Sequence, residues 1–191
     1  MKKLLGLIFS FTLCFTALSA KENLISFTAG LTSGFPIYGT NSVVSTGSEI
    51  EKGNRVILGT LTTVNLNVAE QVSFFVGNDL LWDLTWNASE NSNKLHVSFP
   101  LGIKVYPNLG GLNFGLAYTL GFRNDRIKTT KNGSYNGSTV WGNGFKFHIE
   151  YNFAHDGAYR YLPSIGGYWN LMPRGKYSYD NLIVMYVAIN Y

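Results

Sequence analysis

Few residues in this sequence carry side chains suited to chemistry. It holds three histidines, one cysteine, 15 Lys and Arg, and 11 Asp and Glu. The one local pair with catalytic spacing is His96-Val97-Ser98. In an extended chain, residues two apart share a face, so the imidazole could accept a proton from the hydroxyl. A working nucleophile also needs an acid that orients the base. Glu90 precedes the pair and Glu150 lies far along the chain, so no acid follows at a comparable spacing and no catalytic residue is expected. His148 and His155 are separated by a turn, and three histidines without Cys form no recognised metal-ligand spacing. The glycines fall in strands and turns rather than in a phosphate-binding loop. No metal ion or cofactor is expected.

The elements that must position these residues are read from alternation. Leu95, Val97, Phe99, Leu101, Ile103 and Val105 interleave with His96, Ser98, Pro100, Gly102, Lys104 and Tyr106. One face is apolar and the other polar or small, which is the period of a strand. Leu112, Phe114, Leu116, Tyr118, Leu120 and Phe122 alternate in the same way with Asn113, Gly115, Ala117, Thr119, Gly121 and Arg123. Six further segments follow this pattern, at about 25–37, 54–68, 72–86, 141–153, 159–171 and 183–191. The segment at 159–171 is interrupted by Pro163 and Gly166-Gly167, which weakens a strand. The expectation is an all-β chain of eight antiparallel strands.

Short turns fall at Ala69-Glu70-Gln71, Pro107-Asn108-Leu109-Gly110 and 154–157; longer polar loops fall at about 39–53, 87–93, 124–140 and 172–180. Short connections on one side and long ones on the other are the layout of a transmembrane barrel. The strands also exceed the usual five or six residues of soluble sheets. Charged residues make up 14% and aromatics 15%, against about 25% charged in typical soluble domains. A mean hydropathy of +0.04 is too low for a helical membrane protein. Parity turns Asp79, Asp83, His96, Lys104, Arg123, Lys146, His148, Glu150 and Arg160 into the lumen, where they would form a polar network. Eight strands leave room only for side chains or one small ligand, which excludes a wide solute pore. Trp82, Trp86, Trp141 and Trp169 fall toward the long loops, as an aromatic girdle requires. Phe74, Tyr151, Phe153, Tyr159, Tyr161 and Tyr191 would form the opposite girdle.

Residues 1–20 read as a secretory signal peptide. Lys2 and Lys3 precede the uncharged run Leu4–Leu18, and Ala17-Leu18-Ser19-Ala20 supplies small residues before Lys21. The run is shorter than the roughly 20 residues of a spanning helix. Cys14 follows Leu13 inside that run, which argues against a lipid-modified cysteine. Cleavage would leave 21–191 as the barrel domain without cysteine, and would lower the net charge from +4 to +2 by removing Lys2 and Lys3. Nucleic-acid binding is therefore not expected. The sequons at Asn87, Asn132 and Asn136 read as accidents of an Asn/Ser-rich composition.

The leader, the eight alternating segments and the terminal Val187-Ala188-Ile189-Asn190-Tyr191 resemble small outer-membrane β-barrels of the OmpW, OmpX and OmpA transmembrane type. Gly34-Phe35-Pro36-Ile37-Tyr38-Gly39 is also similar to spirochaetal barrel families. The resemblance is architectural and spans 21–191. It implies a bacterial outer-membrane location, outer-membrane lipids around the barrel, and a monomer. It also implies that Val187, Ile189 and Tyr191 form the C-terminal signal read by the barrel-assembly machinery. Three functions are open at this point. The first is a structural or surface-interaction role through the extracellular loops, with a host or surface ligand. The second is an OmpW-like narrow channel for small hydrophobic solutes, to which the Thr and Gly positions and Leu61 near the lumen would lend themselves. The third is a lipid-modifying enzyme. The His-x-Ser spacing is that of outer-membrane lipid A deacylases, but Phe99 replaces their Asn, and parity points His96 and Ser98 away from lipid. Arg126, Lys128 and Lys131, with Arg174 and Lys176, form a mildly basic rim that could meet lipopolysaccharide or a host polyanion. Ordinary solvated loop charge is the simpler reading.

Overall fold

The computed structural model describes residues 24–39, 50, 53–69, 71–130, 133–153, 162–174 and 178–191. The leader, Lys131, Tyr159, Arg160, Tyr161 and Lys176 lie outside these residues, as do most of the 39–53 loop and the turn after Phe153. Nine strands are found there and no helix: β1 Ile25–Tyr38, β2 Asn54–Ala69, β3 Val72–Trp86, β4 Asn91–Leu109, β5 Leu112–Thr129, β6 Gly133–Ser138, β7 Gly142–Asn152, β8 Leu162–Arg174 and β9 Ser178–Asn190.

All pairings are antiparallel. Each barrel strand pairs with its sequence neighbour, except that β5 pairs with β7 across β6. β1 meets β9 to close the ring. Phe27 and Tyr191 exchange both backbone hydrogen bonds at 2.7 Å at that seam. Eight strands therefore form a closed up-and-down barrel, an architecture without a free edge.

Side-chain parity turns this barrel inside out relative to a soluble protein. In β7 the accessible and buried positions alternate without a break. Leu31, Leu101 and Met185 on the outside are 67%, 62% and 66% exposed, whereas Asn113, Thr119 and Asp180 inside are fully buried. An apolar band of this extent around the whole circumference needs a bilayer to cover it.

The structure departs from the sequence reading in several places. The 124–140 segment is not a loop: β5 runs on to Thr129, and β6 folds back on it from Thr129↔Gly133 to Asn124↔Ser138. The β5 arm of this hairpin keeps the barrel's alternation, whereas β6 is exposed along nearly its whole length, and the Asn, Gly and Ser content conceals both as strands. β6 is a ninth strand outside the ring, so the described residues hold nine strands while the barrel has eight. The loops at 87–93 and 172–180 are also shorter than expected, since β4 starts at Asn91 and β8 and β9 extend to Arg174 and from Ser178. At the other end, β4 continues through Pro107 to Leu109, so that turn narrows to Gly110 and Gly111, both at positive φ.

Pro163 and Gly166-Gly167 do not interrupt β8. The carbonyl of Pro163 accepts from Phe153 N–H at 3.0 Å. In an antiparallel ladder a residue's N–H and C=O point to the same neighbour. The donor that proline lacks is thus the final rung toward β7, where its loss costs little. Pro100 lies mid-strand in β4, and the β3–β4 ladder omits Gly77 and Asn78 opposite it while keeping one register on both sides.

Candidate functional site

The lumen holds two polar clusters at different heights. On β3, Leu81 separates Asp83 from Asp79; on β9, Leu182 and Val184 separate Asp180 from Tyr186. These residues belong to one buried apolar group with Leu61 and Tyr168.

The cluster toward the long loops is a chain of side chains that crosses the barrel. Arg55 on β2 donates from Nε and Nη2 to Asp83 at 2.8 and 2.9 Å. Tyr38 on β1 donates to the same carboxylate at 2.5 Å. With its single proton committed there, Tyr38 accepts from His96 Nε2 at 3.2 Å. The two rings stack with centroids 5.5 Å apart. His96 Nδ1 faces Asp180 at 3.6 Å. Arg123 donates to Asp180, and from Nε to both oxygens of Asp125 at 2.8 and 3.0 Å. Lys94 Nζ and the Arg123 guanidinium lie 4.1 and 4.7 Å from the Tyr38 ring centroid, within cation–π range. Six strands, β1 to β5 and β9, are thereby tied across the lumen.

The cluster toward the short turns joins Lys146 to Asp79 at 2.7 Å and Lys104 to Glu150 at 3.5 Å. Lys146 Nζ also sits 4.0 Å from the Tyr168 ring centroid. Glu150 accepts from Tyr186 at 2.8 Å and from Asn113 at 3.2 Å. His148 packs edge-on against Phe75, and its Nε2 has no hydrogen-bond partner among the described residues. It lines a cavity of about 20 Å³ with Thr63, Lys104, Lys146, Glu150 and Tyr186. That volume holds about one water molecule.

Among the described residues the lumen thus carries Asp79, Asp83, Asp125, Glu150 and Asp180 against Arg55, Lys94, Lys104, Arg123 and Lys146. The charges balance without counting histidine, as burial of many ions demands. Sequence reading placed Asp79, Asp83, His96, Lys104, Arg123, Lys146, His148 and Glu150 inside, and the structure puts all eight there, divided between the two clusters. Arg160 lies outside the described residues. Reading missed Lys94, Arg55, Asp125 and Asp180, with the tyrosines Tyr38, Tyr168 and Tyr186. Parity continued by one more step, from His96 to Lys94, from Arg123 to Asp125 and from Leu182 to Asp180, would have found three of the four charged groups.

His96 does have an acid beside it: Asp180, from the far end of the chain, which no local spacing could show. Both ring nitrogens face Tyr38 and Asp180. Ser98 lies two positions further along the same inward face, buried. No group of three or more His, Cys, Asp and Glu arranged to hold a metal occurs among the described residues.

On the outside, Trp86, Trp141 and Trp169 are 41%, 60% and 42% exposed, and Trp82 is half-buried. Trp141 stacks on Phe99 and tilts onto Phe122, with centroids 6.0 and 5.1 Å apart. Trp169 lies inside β8 rather than at its end, because the strand runs on to Arg174. It stacks on Phe147 and donates to Asn181 at 2.5 Å. At the opposite end Tyr151 and Phe153 pack edge to face.

A closed eight-stranded barrel with an apolar exterior, aromatic rings near both rims and a charge-balanced, side-chain-filled lumen is an outer-membrane β-barrel of the small type. Among solved structures the chain is similar to Ail, the attachment invasion locus protein of Yersinia pestis, with a TM-score of 0.56 at 7% identity, covering 87% of this chain and 97% of that one. Ail in complex with the heparin analogue sucrose octasulfate gives 0.55 at the same identity and coverage. Neisserial surface protein A gives 0.49 at 9% identity, covering 86% and 96%. At such identities the likeness concerns the fold. No protein-family model matches the chain, and comparison with curated proteins finds no sequence match.

Proposed function

We propose that the chain is exported by the leader at 1–20, inserted as a monomer through the assembly signal Val187, Ile189 and Tyr191, and acts as a non-catalytic outer-membrane protein through its outward loops. The observation that carries this reading is the pairing of a lumen bridged by charged side chains with a built surface hairpin. The chain from Arg55 to Asp125 crosses the lumen, and the cavity below it has room for about one water. β4 and β5, at 19 and 18 residues, exceed the 9–11 residues a spanning strand needs. With β6 they raise a hairpin beyond the hydrocarbon core of the bilayer. Ligand contact at that hairpin and its neighbouring loops fits a mildly basic rim, and an anionic glycan is the class proposed. The Ail complex with a heparin analogue makes this class the one to try first. The channel for hydrophobic solutes would require the upper cluster to part, and the enzyme would require Ser98 to reach lipid from an inward face.

The test is heparin binding by the refolded barrel, compared with a variant whose residues 126–136 are replaced by a short Gly/Ser turn, which keeps Asp125 on Arg123 and the Asp125↔Gly137 rung. Binding by the wild type that is lost in the variant, with heat-modifiable migration intact, supports the reading. Discrete conductance in planar bilayers with equal heparin binding by both proteins would refute it.

A further inference from the structure

We infer that the outer wall of β4, β5 and β6 is a binding site for an anionic membrane lipid whose headgroup carries phosphate. The inference concerns the face turned to the bilayer and rests on Arg126 and Lys128, two cations that also belong to the basic rim of the proposed function. Successive outward positions on β5 are Leu120, Phe122, Asn124, Arg126 and Lys128; those on β4 are Phe99, Val97, Leu95, Asn93 and Asn91, in register with them. On β6, Ser134 and Asn136 stand opposite Lys128 and Arg126, and Ser138 stands opposite Asn124. The wall therefore changes along one face from aromatic and aliphatic to amide and hydroxyl, and then to two cations.

The cations are singular in their setting. Every other charged residue whose side chain is described in a strand points into the lumen. Arg126 and Lys128 are exposed on the outward face, with no ion pair among the described residues. They sit directly beyond the rings of Phe99, Phe122 and Trp141, which pack on one another. Four residues of strand separate Phe122 from Arg126. At about 3.4 Å per residue and a tilt near 40°, that is roughly 10 Å along the membrane normal. The headgroup region begins at the aromatic boundary and is several Å thick, and long cationic side chains bend toward it.

Continuity selects the occupant. A soluble polyanion has no use for the exposed aromatic rings below the cations, whereas a lipid has acyl chains for the rings and phosphate for Arg126 and Lys128. A guanidinium and an ammonium on neighbouring positions of one face suit a phosphate group. Asn91, Asn93, Asn136 and Ser134 surround them with neutral donors and acceptors.

The test places the refolded full chain in phosphatidylcholine vesicles containing brominated phosphatidylglycerol or brominated phosphatidylcholine, with quenching of Trp141 as the readout. A Trp141→Phe protein assigns the signal. For the wild type at low ionic strength, two cations near the surface give an anionic preference of about tenfold to thirtyfold. The double variant Arg126→Gln/Lys128→Gln is expected to lose it. A gain variant, Ser134→Lys, which adds a cation opposite Lys128, should raise the preference and needs no loss of fold to be read. Equal quenching by both lipids in the wild type, or an unchanged preference in the double variant, overturns the proposal. So does loss of heparin binding without loss of lipid preference in the double variant. Failure of the hairpin replacement to affect heparin leaves the lipid result standing.

Discussion

Replacing Arg123 with Leu tests whether the upper cluster holds the barrel together. Its side chain is 1% exposed and serves two carboxylates, Asp125 and Asp180, each also 1% exposed. Removing one partner of a buried ion pair costs about 3–5 kcal/mol, because the remaining charge is left without compensation. Here two acids lose the guanidinium, on β5 and β9, so the upper end applies: about 5 kcal/mol, or three to four orders of magnitude in the folding equilibrium. Neutralising the stranded groups in the same protein, Arg123→Leu/Asp125→Asn/Asp180→Asn, should recover most of that loss, since the cost lies in the unpaired charge. The assay is urea unfolding of vesicle-refolded protein followed by tryptophan fluorescence, with midpoints compared at equal slope. A single variant within about 1 kcal/mol of wild type would show that the cluster is solvated rather than buried. A triple variant no better than the single one would refute the stranded-charge explanation.

Further outcomes follow from other contacts. An added Cβ at Gly115 would overlap the His148 imidazole. Gly115→Ala should therefore destabilise by about 1–3 kcal/mol through overpacking, and His148→Ala in the same protein should relieve it, as thermal or urea midpoints would show. Leu116 is 49% exposed in mid-β5; Leu116→Arg should cost about 2–4 kcal/mol in vesicles if this face meets the bilayer centre. A change under about 0.5 kcal/mol would contradict the lipid-facing assignment. Glu90 accepts from the Thr130 N–H at 2.9 Å, the Thr130 hydroxyl at 2.8 Å and Asn87 at 3.2 Å. The Thr130 backbone bond, first among these, holds its carboxyl below the usual carboxylate range. The tie between the 87–90 turn and the hairpin tip should thus be complete above the ordinary carboxylate range and be lost as pH falls through the lowered value. Protection of the Thr130 amide, relative to its intrinsic exchange rate at each pH, should fall over that interval and hold steady around neutral pH. Tyr191→Ala keeps the backbone pair with Phe27, so it should refold in vitro like wild type yet assemble more slowly in cells; equal assembly would remove its signalling role.

Alternation was enough to read the barrel. A period of two, sustained in eight segments, fixes which residues meet lipid and which meet the lumen, and a slip of one residue would reverse every position. That is why Asp79 and Glu150, remote in the chain, could both be turned inward from sequence. Loop composition misled where polar residues occupy both faces of a strand: Asn124–Thr129 and Gly133–Ser138 are paired strands written in loop residues. Asp125 and Asp180 lie in the interior on segments whose composition reads as loop.

Sequence by itself determined the strand parity, the apolar exterior and the inward set of charges, because these depend only on backbone geometry repeated every two residues. Tertiary structure alone decided the partners. Closure of β1 on β9 brings Asp180 to His96 and Arg123, and shear between strands sets which heights coincide across the lumen. Neither quantity is local: register and closure depend on every strand at once. The same holds for the outward cations on β5, whose setting beside Phe99 and Trp141 exists only where three strands lie side by side.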